Sequence, residues 1–409
     1  MALGPMSKDL QRYSAHVGSL PECVRGASQF CEFLGDMAAL GVTPLERHGR
    51  RYAVIAARSN RRWWLLPLDR RRAAAMSLEM LQPVTPVAQV AKCAASTLAR
   101  FGPLRFLGRG RISLTGLSEQ ADLQLAFRGN AAHVACFTGT DGPHRKTALQ
   151  IMDSTANILG YAKLSRAPHV RPYLRNEARV LRQLSELDLR SADVPELLRF
   201  RDDSAVTLLI TDSLKSAASA APLVLGPAHL AFLNELRNKS ERLGAEPTLQ
   251  WLRQQTARVA QTAGAAWVRL LDQVMTALQP YAQSIPVCLT HGDFTPWNSF
   301  LQRGRLYVFD WEYAQQAWPV GFDLVHFHLA TVAPEAQPSQ VPTLVETLSC
   351  TQFEGNKTLA TRSLLLSLAC HAVFYIGRLH EAGQQLEEWP GSAMRAEMIE
   401  HLLGSGALQ

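Results

Sequence analysis

Apolar residues return at helical spacing over residues 28–40, and two apolar runs, 52–57 and 63–68, flank Ser59-Asn60 and predict a small hairpin. A further helix is expected over about 84–101, stopped by Gly102-Pro103. From there to about residue 210 the pattern becomes that of strands. The segments 133–138, 147–152, 158–164 and 206–210 are short, β-rich and separated by Gly, Asn, Asp or Pro. Between the third and fourth lies 171–187, where Leu174, Ala178, Leu181 and Leu184 recur at helical spacing. Beyond Thr211 the pattern is mainly helical, with short strands near 287–289 and 305–309, and the Ala- and Ser-rich stretch 215–222 reads as a linker. No repeats are present. Three segments follow: a mixed module over 1–125, a strand-rich region over 126–210 and a helical region over 211–409.

With 409 residues, 47% apolar and 19% charged, the chain can bury cores for two or three domains, which excludes global disorder. The uncharged stretch 363–377 is too short to span a bilayer and is broken by Ser367 and His371, so it reads as a buried helix and no transmembrane segment is expected. Residues 1–20 lack the basic start, apolar centre and small-residue cleavage site of a secretory signal, and a cytoplasmic location is expected. Seven dispersed cysteines with no CxxC pair suggest neither a disulfide framework nor a zinc site and read as buried free thiols.

The net charge of +7 is uneven: residues 1–125 hold 17 Lys+Arg against 9 Asp+Glu, leaving 25 against 26 for the rest. The excess gathers at Arg50-Arg51, Arg61-Arg62 and Arg70-Arg71-Arg72. Such a patch suits an anionic surface or a glycan-assembly partner, the competing reading being arginines that solvate strand edges. With no helix-turn-helix or RNA-binding signature, nucleic acid is not the expected partner. Gly108-Arg109-Gly110 reads as a connection between domains.

The candidate chemistry is concentrated over 289–323. Asp293 and Asn298 stand five apart, and Asp310 follows twelve later at the end of an expected strand. A loop with that spacing can set a carboxylate beside a substrate hydroxyl and an amide oxygen on Mg²⁺. A second carboxylate from the adjacent hairpin completes a set of hard oxygen ligands, an arrangement that fits phosphoryl transfer.

These residues resemble a known family. His291-Gly292-Asp293-Phe294-Thr295-Pro296-Trp297-Asn298 is similar to the HxDxxxxN catalytic loop of the aminoglycoside phosphotransferase and choline kinase group. Phe309-Asp310-Trp311-Glu312-Tyr313-Ala314 stands where that family has its metal-binding Asp, and Gly321-Phe322-Asp323-Leu324 resembles the segment whose Asp braces the loop. The resemblance covers about residues 130–380. It implies an α+β, bilobal, protein-kinase-like fold, with a small antiparallel nucleotide lobe and a helical lobe, here preceded by the 1–125 module. It implies an enzyme that moves the γ-phosphate of ATP, with Mg²⁺, to a hydroxyl of a small molecule. Asp293 would be the base, Asn298 and Asp310 the metal ligands, and His291 and Asp323 structural supports.

The strand-rich region can supply the nucleotide lobe. Lys163 lies in the third strand among apolar neighbours, as suits a lysine on the α/β-phosphates, and Glu177 lies fourteen residues on in the amphipathic helix that would orient it. Lys146, Arg175 and Glu186 are the competing residues. The turn between the first two strands holds Gly139 and Gly142, which let backbone N–H groups approach phosphate, and Arg145 and Lys146, which can neutralise it. A plain hairpin turn is its competing reading. Trp297, Trp311, Tyr313 and Trp318 could stack on a sugar or enclose a quaternary ammonium, or pack under the loop. Basic extensions before such domains resemble proteins of bacterial polysaccharide and cell-surface assembly, and the helical region is not markedly acidic. Both favour a sugar or surface-glycan precursor as acceptor. An aminoglycoside or choline-like acceptor, or a catalytically weak nucleotide sensor or scaffold, is the alternative.

Overall fold

In the computed structural model of the chain, residues 27–44, 49–57, 62–81, 86–103 and 110–409 are described. They belong to two units, one of residues 1–182 with 195–219, the other of 183–194 with 220–409.

The first unit runs α1 (Ser28–Ala39), β1 (Thr43–Pro44), β2 (Arg50–Ala57), β3 (Arg62–Pro67), α2 (Arg71–Met76), α3 (Pro86–Phe101), β4 (Gly110–Thr115), α4 (Ala121–Ala126), β5 (His133–Phe137), β6 (Thr147–Met152), β7 (Ile158–Ser165) and α5 (Arg171–Glu186). After β8 (Ala192–Asp193), which belongs to the second unit, come β9 (Leu197–Asp202) and β10 (Thr207–Asp212). The nine strands form one sheet in the order β1-β4-β2-β3-β5-β6-β7-β10-β9, every neighbouring pair antiparallel. The expected hairpin is β2–β3, paired from Tyr52↔Pro67 to Ala57↔Arg62, while Ser59-Asn60 lies outside the described residues. β3 then pairs with β5 through Trp64↔Phe137 and Leu65↔Cys136, so the sheet runs unbroken past residue 125. One core joins Phe30, Phe33, Tyr52 and Leu65 to Val134, Leu149, Leu164 and Ile210. Gly110 opens β4 rather than a connection, and Gly108-Arg109 lies outside the described residues.

Several arginines of the basic cluster are engaged inside this unit. Arg70 donates to the Ser154 carbonyl, Arg71 to that of Gly102, and Arg72 to Asn157 Oδ1 at 3.1 Å. Arg50 pairs with Asp69 and Glu119, each at 3.3 Å. Among the described residues the six cysteines are free thiols, and of these Cys136, Cys288 and Cys370 are buried; Cys23 lies outside the described residues. Cys93 and Cys350 are exposed, because the helices that carry them turn those positions to solvent, which a count of cysteines does not reveal.

The second unit is mainly helical: α6 (Pro227–Ser240), β11 (Arg242–Leu243), α7 (Glu246–Leu278), β12 (Pro286–Thr290), β13 (Ser299–Gln302), β14 (Arg305–Val308), β15 (Gln315–Pro319), α8 (Phe322–Thr331), α9 (Val341–Gln352), α10 (Lys357–Ala382) and α11 (Ser392–Gly404). Its strands form two three-stranded sheets, β11-β12-β15 and β13-β14-β8. Arg303 and Gly304, at φ 53° and 81°, close the β13–β14 hairpin as a two-residue turn with both central residues left-handed. Helix α10 contains the expected buried segment. It is apolar and long enough to cross a bilayer on composition, yet 78% of its most apolar window is buried within the protein, as in a core helix.

Candidate active site

In the first unit, alternation along β7 decides which side chains face the core. Ala162 and Leu164 are fully buried, and Lys163 between them points to the other side of the sheet. Its Nζ donates to Oε1 of Glu177 on α5, whose side chain is 2% exposed. Leu174, Ala178 and Leu181 bury the apolar face of α5 and fix Glu177 at that height. Glu177 Oε2 has no hydrogen-bond partner among the described residues. The competitors lie elsewhere: Arg175 pairs with Asp202 at 2.6 Å, and Glu186 is exposed.

The β5–β6 turn carries the candidate phosphate contacts. Gly139 has φ 87°, and a Cβ there would lie 2.3 Å from the Lys146 carbonyl oxygen, so the close approach requires glycine. Gly142, at φ 148°, has open space around it and Lys146 is half-buried. Arg145 is turned inward, its Nε 2.6 Å from Glu32 and a terminal nitrogen 3.0 Å from Asp36, both on α1. Asp36 also accepts from Thr147 Oγ1 at 2.7 Å. Burial pushes the Asp36 carboxyl up, against the pull of Arg145 and Thr147.

In the second unit the 291–298 loop hangs from α8. Asp323, at the first turn of that helix, accepts the main-chain N–H of His291 at 2.7 Å and of Gly292 at 3.0 Å. Burial raises its carboxyl, opposed by His291 and those two donors. The His291 ring is buried and bridges the loop: Nδ1 accepts the Asp293 N–H at 3.2 Å, and Nε2 donates to the Phe309 carbonyl at 2.9 Å. That second bond ties the loop to the segment leading into Asp310. Asp310 itself is left-handed at φ 71°, ψ 56°, an uncommon state for a non-glycine residue that aims its side chain away from the strand direction. Trp311 beneath it is fully buried and donates Nε1–H to the Val308 carbonyl at 3.1 Å.

Asp293 is held on both oxygens. Asn298 Nδ2 donates to Oδ2 at 2.9 Å and to the Asp293 carbonyl at 2.8 Å, and Nε2 of His326 on α8 lies 3.0 Å from Oδ1. Because the Asn298 amino group is committed to Asp293, its amide oxygen is the atom left for a cation. That oxygen and the Asp310 carboxylate are hard oxygen donors of the kind Mg²⁺ takes. Nearby, the Arg378 guanidinium lies 5.6 Å from the Tyr313 ring centroid, 5.8 Å from Phe374 and 6.0 Å from Tyr375. Burial opposes its charge, but the neighbouring tyrosines, Asp293 and Glu312 outweigh that and hold the group above its ordinary value. Of the aromatics, Trp311 and Trp318 are core residues and Trp297 is exposed. His326 and Arg378 were not among the residues expected from the motifs. Their signal is a histidine three residues after Asp323 in a largely apolar segment, and an arginine shortly after Phe374-Tyr375.

The second unit thus holds a carboxylate braced on a loop, and the first a lysine–glutamate pair between strand and helix, residue types that phosphoryl transfer uses. Residues 161–356 match the model of the phosphotransferase enzyme family, the family that the motifs resemble, and the described residues have a mixed α+β architecture. Similar solved structures include the GDP complex of an aminoglycoside 2′-phosphotransferase-IIIa mutant, at 11% identity and TM-score 0.42, covering 68% of this chain and 94% of that one. Another is a thermostable mutant of APH(4)-Ia in ternary complex with AMP-PNP and hygromycin B, at 14% identity and TM-score 0.41, covering 64% and 91%. A third is APH(3'')-Id from Streptomyces rimosus with ADP and streptomycin, at 14% identity and TM-score 0.31, covering 63% and 90%. A comparison with curated proteins gives no match.

Proposed function

We propose that the protein transfers the γ-phosphoryl group of ATP to a hydroxyl of a small molecule, a sugar or surface-glycan precursor. The observation that carries this reading is the commitment of the Asn298 amino group to Asp293, which joins the base to a metal ligand in one hydrogen bond. Asp293 accepts the proton of the attacking hydroxyl, and its anchored oxygens hold it in one orientation while that happens. Lys163, steadied by Glu177, binds nucleotide phosphate oxygens. The glycine turn covers the phosphates with Gly139, Gly142 and Lys146, while Arg145 serves as the turn's anchor to α1. Asn298 and Asp310 would hold Mg²⁺, which when bound neutralises phosphate charge. Arg378 beside Tyr313 favours a neutral or anionic acceptor over a polycationic aminoglycoside, since a cation there would meet like charge.

The test is transfer of label from γ-³²P-ATP with Mg²⁺ to glucose, glucuronate, choline and kanamycin, compared with Asp293→Asn. Label on glucose or glucuronate, absent with Asp293→Asn, supports the reading. Label on kanamycin or choline overturns the acceptor class, and nucleotide binding without transfer in either protein favours the sensor reading.

A further inference from the structure

Helix α8 is apolar along much of its length, with Phe322, Leu324, Val325 and Phe327 all buried, yet it carries the imidazole of His326 fully into that core, while His328 is half-buried. The His326 side chain is 1% exposed. Its ring stacks on Phe322 at 5.9 Å and 20°, lies 5.2 Å from the His371 ring and packs beside Tyr375 at 6.5 Å. Burying a polar ring in such surroundings is costly unless it is hydrogen-bonded. Its one hydrogen bond among the described residues goes to Asp293 Oδ1, at 3.0 Å, and Nδ1 has no partner there.

We propose that His326 is a positioning residue for phosphoryl transfer, donating Nε2–H to Asp293 Oδ1 so that the base is gripped from two sides. This rests on the assignment of Asp293 as the base. A carboxylate can only accept, so Nε2 is the donor in this contact, and Nδ1 has no partner among the described residues. Asn298 takes Oδ2 and His326 takes Oδ1, so the carboxylate can neither flip nor swing, and the acceptor hydroxyl meets an oriented lone pair. The two grips come from one helix face and one loop. Asp323 and His326 are three residues apart on α8, neighbours on that helix, the first holding the loop's backbone and the second its reactive side chain. A repositioning of α8 is therefore felt at the loop and the base together.

The test uses the full chain and Mg²⁺-dependent ATP turnover, with water or glucose as acceptor. His326→Leu removes the donor in a similar volume, and His326→Gln restores an N–H. The expected result is a fall in kcat of about 10- to 100-fold in His326→Leu, the scale of a misplaced catalytic group. KM for ATP stays within about twofold, and His326→Gln recovers most of the loss. Parental turnover in His326→Leu overturns the proposal. So does an equal loss in both variants accompanied by a lower melting temperature, which marks a packing role. Should His326→Leu not fold, ¹⁵N NMR of the parent's histidines decides. A resonance protonated at Nε2 that moves in Asp293→Ala supports the pair, and a ring protonated at Nδ1 alone overturns it. If Asp293→Asn turns over like the parent, the base assignment has failed, an outcome separate from any His326 effect.

Discussion

Replacing Gly292 by alanine tests whether the catalytic loop works through its exact placement. Gly292 sits at φ 81°, where an L-residue pays roughly 1–2 kcal/mol. A Cβ there would also lie 2.2 Å from the Tyr313 carbonyl oxygen and 2.8 Å from its carbon, against 3.4 Å for ordinary contact, so loop and carbonyl must separate by about 1 Å. Gly304 supplies the control: it has the same φ of 81°, and a Cβ would meet nothing within 4 Å. Gly304→Ala isolates the backbone term and should lower the melting temperature by roughly 2–8 °C in a unit of this size, with turnover preserved. Gly292→Ala adds the displacement of the residue next to Asp293, and a shift of about 1 Å corresponds to a loss near 100-fold. Differential scanning fluorimetry and Mg²⁺-dependent ATP turnover on the two variants separate the effects. If Gly292→Ala keeps turnover equal to Gly304→Ala, the link between loop placement and catalysis is refuted.

Lys163→Ala should weaken ATP binding about 10- to 150-fold, the equivalent of one charge-assisted contact of roughly 1.5–3 kcal/mol, and calorimetry showing unchanged affinity would remove Lys163 from the nucleotide site. Joint replacement of Arg70, Arg71 and Arg72 by Gln should lower the melting temperature with little dependence on salt, because their partners are Ser154, Gly102 and Asn157 within the unit; a defect confined to low salt in binding anionic vesicles would instead mark a surface for a partner. Glu235 is held down to about 2: burial acts to raise it, but bonds from the Ser191 side chain and from the Arg190 and Ser191 N–H groups outweigh that. Its folded pKa lies below the ordinary 4.5, so its contribution to stability is complete above that value and is lost as pH falls toward 2. Glu235→Gln should flatten the stability–pH curve over that window, and an unchanged slope would assign acid sensitivity elsewhere.

What the sequence disclosed follows the range of the interactions involved. Strands β6 and β7 and helix α5 are marked by local periodicity and turn residues, and the contact of Lys163 with Glu177 follows once strand and helix are placed. The hydrogen bonds around Asp293, Asn298 and His291 lie within one short loop and its hairpin, so spacing alone brings them close. Pairing of β3 with β5 joins residues more than seventy positions apart through two residue pairs, and no local pattern encodes it. The same holds for Arg145, whose basic turn position reads as a phosphate contact until Asp36, 109 residues earlier, is found beside it. His326 escaped because its partner lies 33 residues back in the chain, and a histidine in a largely apolar helix gives no local sign of that contact.

The role of Asp293 as the base of a Mg²⁺-dependent transfer is measured most directly by single-turnover transfer from γ-³²P-ATP by the parent and Asp293→Asn at saturating nucleotide. Asp293→Asn is expected to bind Mg²⁺–ATP with affinity near that of the parent and to transfer label at least about 100-fold more slowly. Equal transfer rates in the two proteins would contradict that role.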